Sequence, residues 1–81
     1  MLHVYEKLLE DGHYAYAFFN MGETEEKACT RFSATGSVRD LWAKEELGTL
    51  SDLSLTLPPH TVRIIKSEHK AETIDTKEEN K

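Results

Sequence analysis

Turn-forming residues punctuate this chain at intervals of about ten to fourteen positions: Asp11-Gly12, Asn20-Met21-Gly22, Ala34-Thr35-Gly36, Gly48 and Pro58-Pro59. Between them the apolar residues alternate with polar ones or gather in short β-branched and aromatic runs, and no segment sustains a 3.6-residue period. Short strands separated by Gly, Asn and Pro read as an antiparallel sandwich or barrel. The sequence therefore predicts an all-β fold, an antiparallel, Greek-key-like β-sandwich of six to eight short strands, with six or seven favoured by usual strand lengths.

The strands can be placed one by one. Leu2 to Leu9 and His13 to Asn20 flank Asp11-Gly12 and should pair as a hairpin, because Gly supplies the positive φ a tight turn needs. Thr24 to Ser33 sets Glu25, Lys27, Cys29 and Arg31 against Ala28, Thr30 and Phe32, a pattern that suits a half-exposed edge strand. Ser37 to Trp42 reads as a fourth strand and Ala43 to Gly48 as a loop. Leu53, Leu55 and Leu57 on one face alternate with Leu50, Asp52, Ser54 and Thr56 on the other until Pro58-Pro59 ends the ladder, and Thr61 to Lys66 supplies the last strand. From Ser67 to Lys81 only Ala71 and Ile74 are apolar, against five acidic and three basic residues. Composition makes residues 67–81 a flexible acidic tail behind a domain of residues 1–66.

With 81 residues, the chain has room for one domain, which buries only about 60 to 65 % of its unfolded surface. The core must be thin. Hydrophobic residues at 38 % and charged residues at 31 % are ordinary for a globular domain. A net charge of −5 without a Lys/Arg cluster argues against nucleic acid as a partner. The longest apolar run, Ala15 to Phe19, is too short to span a bilayer, so no membrane partner is expected. A single cysteine, Cys29, forms no internal disulfide and leaves the compartment open.

Candidate chemical groups are few. Glu45 and Glu46, near Asp40, are adjacent carboxylates that point apart on a strand or turn and lack an apolar pocket to raise either pKa. Arg39 and Asp40 face opposite ways on a strand and suit cross-strand pairing. His3, His13, His60 and His69 show no ligand spacing, although His3 and His13 could face each other across the first hairpin. Cys29 has no adjacent base to activate it. Neither a cofactor nor a metal is implied. The aromatic residues carry most of the interest: Tyr5, Tyr14, Tyr16 and Trp42 read either as core and domain interface or as a platform for sugar rings. The second strand is apolar on both faces, with Tyr14, Tyr16 and Phe18 on one and Ala15, Ala17 and Phe19 on the other, so one face is left wanting a partner.

The run Val38-Arg39-Asp40-Leu41-Trp42-Ala43-Lys44-Glu45-Glu46-Leu47-Gly48 resembles the C-terminal β-sandwich of glycoside hydrolase family 27 α-galactosidases. Val4-Tyr5-Glu6-Lys7-Leu8 with Asp11-Gly12, Ala15 to Gly22, and Leu55-Thr56-Leu57-Pro58-Pro59-His60 before Val62 and Ile64-Ile65 agree with that domain in order. The resemblance spans Leu2 to Lys66. It implies a parent melibiase that removes terminal α-galactosyl groups with retention, using two aspartates on a (β/α)₈ barrel. Neither aspartate maps onto this chain, so no catalytic residue carries over. What it implies here is a non-catalytic accessory domain whose partner is the barrel. Tyr14, Tyr16, Phe18 and Trp42 are the candidates for docking on the barrel or for stacking on galactosides. A carbohydrate-binding module and a free-standing interaction domain are the alternatives.

Overall fold

The computed structural model describes the backbone of residues 2–78 and the side chains of residues 2–75. Six antiparallel strands follow one another without a helix: β1 (Leu2–Leu8), β2 (Tyr14–Asn20), β3 (Glu26–Asp40), β4 (Glu45–Leu57), β5 (Thr61–Ser67) and β6 (Ala71–Glu78). They form one hydrogen-bonded sheet in the order β1-β2-β5-β3-β4, with β6 paired to β3 off that path. β5 returns past β4 to lie between β2 and β3, a non-neighbour connection of the Greek-key kind. The expected all-β antiparallel architecture is present.

β3 makes the sheet fold over on itself. Fifteen extended residues reach about 50 Å, whereas the longest dimension of the molecule is 39 Å. The strand bends where its pairing with β4 slips between Arg31 and Gly36. Its first half, Glu26 to Phe32, pairs with β6 and the end of β4. Its second half, Val38 to Asp40, pairs with β5 and the start of β4. One layer is thus β1-β2-β5 with the second half of β3, the other β6, the first half of β3 and the end of β4. Tyr16, Phe18, Val38 and Ile65 of the first layer pack with Ala28, Phe32, Leu55 and Leu57 of the second.

Gly36 sits at the bend under the β5–β6 link. A Cβ there would lie 2.5 Å from the His69 ring and 2.8 Å from Glu68 Oε1, so only glycine lets the link pass so close. Glu68 ties the link down, accepting the Ser37 N–H through Oε1 and donating its own N–H to the Ser37 carbonyl, both at 3.0 Å.

Two buried polar side chains join the parts. Asn20 is fully buried and donates through Nδ2 to the carbonyls of Thr24 (2.9 Å), Leu57 (2.8 Å) and Pro58 (3.1 Å), while its Oδ1 accepts the Gly22 N–H at 3.0 Å. Pro58 and Pro59 have no N–H to continue a ladder, and the Asn20 amide caps the carbonyls that close β4. The Tyr16 hydroxyl donates to Glu6 Oε2 and accepts the Ala71 N–H, both at 2.7 Å, which fixes the start of β6 against β1 and β2. Burial, with the neighbouring Glu6 carboxylate, pushes the Tyr16 phenol up to about 12.

The structure revises the sequence reading at four places. The strand expected at Thr24 to Ser33 is continuous with the one at Ser37 to Trp42, because Gly36 bends the chain without ending it. It is central rather than an edge, since β6 covers its free side. That cover comes from the segment expected to be a flexible tail: Ala71–Glu78 is a strand whose ladder with β3 and half-buried Ala71 and Ile74 hold it despite its polar composition. Residues 79–81 of that segment lie outside the described residues. Finally, the loop expected over residues 43–48 is a short turn at residues 41–44, with Lys44 at φ 57° and β4 starting at Glu45.

Candidate functional site

Strand alternation sends every second side chain of the first layer outward, and those positions differ sharply from their counterparts on the second layer. Register aligns Tyr5, Ala17 and Ile64 in one row across β1, β2 and β5, and His3, Phe19 and Val62 in the next. Leu41 extends the first row, because its N–H donates to the Ile64 carbonyl at 2.9 Å. Tyr5 is 62 % exposed and meets the half-buried Phe19 edge to face at 5.6 Å between ring centres. With His3 and Met21 these rings line a shallow hollow of about 330 Å³. Lys7, Ala15, Lys66 and Arg39 lie along one side of this apolar centre.

The outer face of the second layer carries Lys27, Cys29 and Arg31 of β3 between Thr56, Ser54 and Asp52 of β4 and Thr73 and Asp75 of β6. Its shallow trough, about 500 Å³, is lined by polar side chains and Leu53. Arg31 pairs with Asp52 at 3.3 Å, and Cys29 is an exposed thiol beside the Ser54 hydroxyl at 3.7 Å. This face is satisfied by water. The first is not, because it leaves Tyr5 and Leu41 exposed and Phe19, Val62 and Ile64 only half-buried in adjoining rows.

The four aromatic candidates separate by burial. Tyr16 and Phe18 are core residues, 1 % and 0 % exposed, so neither has a face free for docking or for a sugar ring. Both stand on the inward side of β2, and the outward residues Ala17 and Phe19 hold the positions that the sequence reading gave to them. Tyr14 is half-buried on the same inward side, with Lys70 Nζ 5.7 Å above its ring. Trp42 alone of the four stands free, 69 % exposed on the β3–β4 turn.

That turn is built around Asp40. Its carboxylate, 2 % exposed, accepts the N–H groups of Trp42 and Ala43 through Oδ1 (2.9 Å each) and both Nε (2.9 Å) and Nη2 (2.7 Å) of Arg63 through Oδ2. Burial alone would raise its pKa, but the Ala43 N–H, the Arg63 guanidinium and the Trp42 N–H outweigh it and hold the carboxyl below the usual range. Arg39 points the other way and pairs with Glu46 of β4 at 2.6 Å. Asp40, Glu45 and Glu46 therefore form no catalytic pair: Asp40 is consumed by the turn, and the glutamates are exposed. His3 stands opposite Phe19 and His13 lies beyond the end of β1, so the two do not meet across the hairpin. Among the described residues no three His, Cys, Asp or Glu side chains gather as a metal site requires.

Residues 1–67 match the family described as "Alpha galactosidase C-terminal beta sandwich domain". The chain belongs to that family. A solved structure similar to this domain is α-galactosidase I from Mortierella vinacea, with a TM-score of 0.74 and 24 % identity over 86 % of this chain. The α-galactosidase C-terminal domain described here corresponds to 21 % of that chain, about a fifth of its length. A search of curated proteins finds no match. β6 lies beyond the residues the family match covers. The outer-face row of Tyr5, Ala17 and Ile64 was within reach of the sequence, because the second strand reads as apolar on both sides. Which side faced out required the register.

Proposed function

We propose that this chain is the non-catalytic accessory domain of a retaining α-galactosidase-like glycoside hydrolase, and that the outer face of β1, β2 and β5 packs against the catalytic (β/α)₈ barrel. The observation that supports this reading is the inequality of the two outer faces: Tyr5, Ala17, Phe19, Val62, Ile64 and Leu41 on one, and Lys27, Cys29, Arg31, Asp52, Ser54 and Asp75 on the other. Burying a mixed aliphatic and aromatic surface releases about 25 cal/mol for each Å² removed from water, and the polar face offers no such gain. The role is structural. Both aspartates that the family resemblance assigns to the chemistry belong to the barrel, and the domain would hold that barrel's flank closed to solvent.

The test is a ¹H–¹⁵N correlation spectrum of the labelled chain, recorded alone, with galactose or melibiose, and with the four-fifths of the Mortierella vinacea α-galactosidase I chain lying outside the matched portion. Shifts confined to Tyr5, Ala17, Phe19, Val62 and Ile64 with the protein partner, and none with sugar, are expected. Shifts centred on Cys29, Ser54 and Asp75 would sink the assignment of the face. Sugar-dependent shifts around Trp42 would make the domain a carbohydrate-binding module instead.

A further inference from the structure

Trp42 is the most exposed large apolar side chain among the described residues, yet it stands on a turn with little freedom. Two backbone N–H groups of the turn end on one buried carboxylate oxygen, the Arg63 fork grips the other, and the Arg39–Glu46 pair closes the flanking strands. A link that only had to reverse the chain would not need a buried aspartate to shape it. We infer that Trp42 is the anchor of the docking surface: a preformed aromatic knob on the β3–β4 turn that inserts into an apolar pocket of the catalytic portion of an α-galactosidase chain. The inference rests on the docking reading above.

Position supports it. Leu41 carries the row Tyr5–Ala17–Ile64 to the edge of the turn, and Trp42 follows it on the turn at the end of that row. Energetics support it too, since tryptophan is enriched among residues that dominate interfaces. With the backbone of its turn already fixed, the residue gives up less entropy on association than one on a mobile loop. A sugar ring is the poorer occupant, because a stacking platform needs free polar groups beside the ring to read hydroxyls. Asp40, Arg39 and Glu46 are committed to one another or to Arg63, which leaves the exposed Lys44 and Glu45 as the charged groups at the turn. The matched domain of the Mortierella vinacea enzyme is covalently joined to about four times its own length of chain, which supplies a partner at high effective concentration.

The chain has a single tryptophan, so one 5-fluorotryptophan label gives one ¹⁹F resonance. The partner is the four-fifths of α-galactosidase I lying outside the matched portion, taken forward once its thermal melt shows a cooperative unfolding transition. The labelled wild-type chain should bind it with a displaced, broadened resonance. Trp42→Ala should weaken binding by about 30-fold or more, the size that marks an interface hot spot, and Trp42→Phe should recover part of that loss. If Trp42→Ala binds within about threefold of wild type while Tyr5→Ser binds poorly, the anchor is overturned and the docking face stands. If the wild-type chain does not bind, both readings fall together. A ¹⁹F shift on adding galactose without the partner overturns the anchor in favour of a sugar platform.

Discussion

Replacing Asn20 by aspartate changes one atom and should be among the most damaging substitutions this domain can carry. The wild-type amide is completely buried and gives its hydrogens to the carbonyls of Thr24, Leu57 and Pro58. Asn20→Asp removes those donors and sets a carboxylate oxygen against the same carbonyls. Each lost hydrogen bond costs about 1 kcal/mol, and leaving the Leu57 carbonyl buried without a donor adds about 1 to 3 kcal/mol. The three lost bonds and the stranded carbonyl together cost about 4 to 6 kcal/mol at pH 7, against about 4 to 12 kcal/mol of total stability for a domain of this size. In a thermal melt that is a fall of about 16 °C or more. The loss should be pH-dependent in a defined direction. Burial and facing carbonyls raise the new carboxyl's pKa above its unfolded value of about 3.9. The neutral acid can donate one hydrogen bond, so the stability it contributes is present below that value and disappears as pH rises through the raised one. The gap between variant and wild type should narrow as the pH is lowered towards about 3. A fall of less than about 5 °C at pH 7, or a gap that stays constant with acid, would refute the claim that this amide stitches β2 to the end of β4.

Tyr16→Phe should cost about 1 to 2 kcal/mol in urea unfolding and speed amide exchange at Ala71, whose N–H donates to the lost hydroxyl. With the phenol's pKa pushed up to about 12 from 10.0, its stabilisation is intact below the lower value and lost as pH climbs to the higher; the variant should lack that alkaline limb. Asp40, held below its ordinary 3.8, works in the opposite sense: its contribution is present above 3.8 and lost as pH falls through the depressed value, so Asp40→Asn should flatten the acid limb of a stability–pH curve. Thr30 is 1 % exposed and its hydroxyl has no partner among the described residues. Thr30→Val should therefore raise stability by about 1 kcal/mol, and a loss of similar size would show that the hydroxyl is satisfied.

The legible part of the fold was the part written in short-range chemistry. Asp11-Gly12 marks a real reversal with Gly12 at φ 87°, and Pro58-Pro59 ends β4 at Leu57. The leucine alternation from Leu53 to Leu57 separates buried from exposed side chains as expected. What escaped was decided by distant contacts. Gly36 looks like any turn glycine, and only the crossing of Glu68 and His69 above it shows why it bends a strand instead of ending one. β6 is nearly all polar, and its order comes from a ladder with β3 and from the Tyr16 hydroxyl, neither of which leaves a periodic trace in its own residues. The site was half legible for the same reason. Trp42 stood out by type, but Tyr16 and Phe18 were indistinguishable from Phe19 until pairing decided which side of β2 met the core.

The cover that β6 gives to β3 sets where this protein can safely be cut. A chain trimmed after Ser67, where the family match stops, would keep every residue of the first layer and still present the flank of β3 from Glu26 to Phe32 as a bare row of ladder donors and acceptors beside Ala28 and Phe32. Such a row recruits strands from neighbouring molecules. The trimmed protein would trade an internal partner for an external one and come out of purification as multimers, so the last strand, polar as it is, shields that flank of β3.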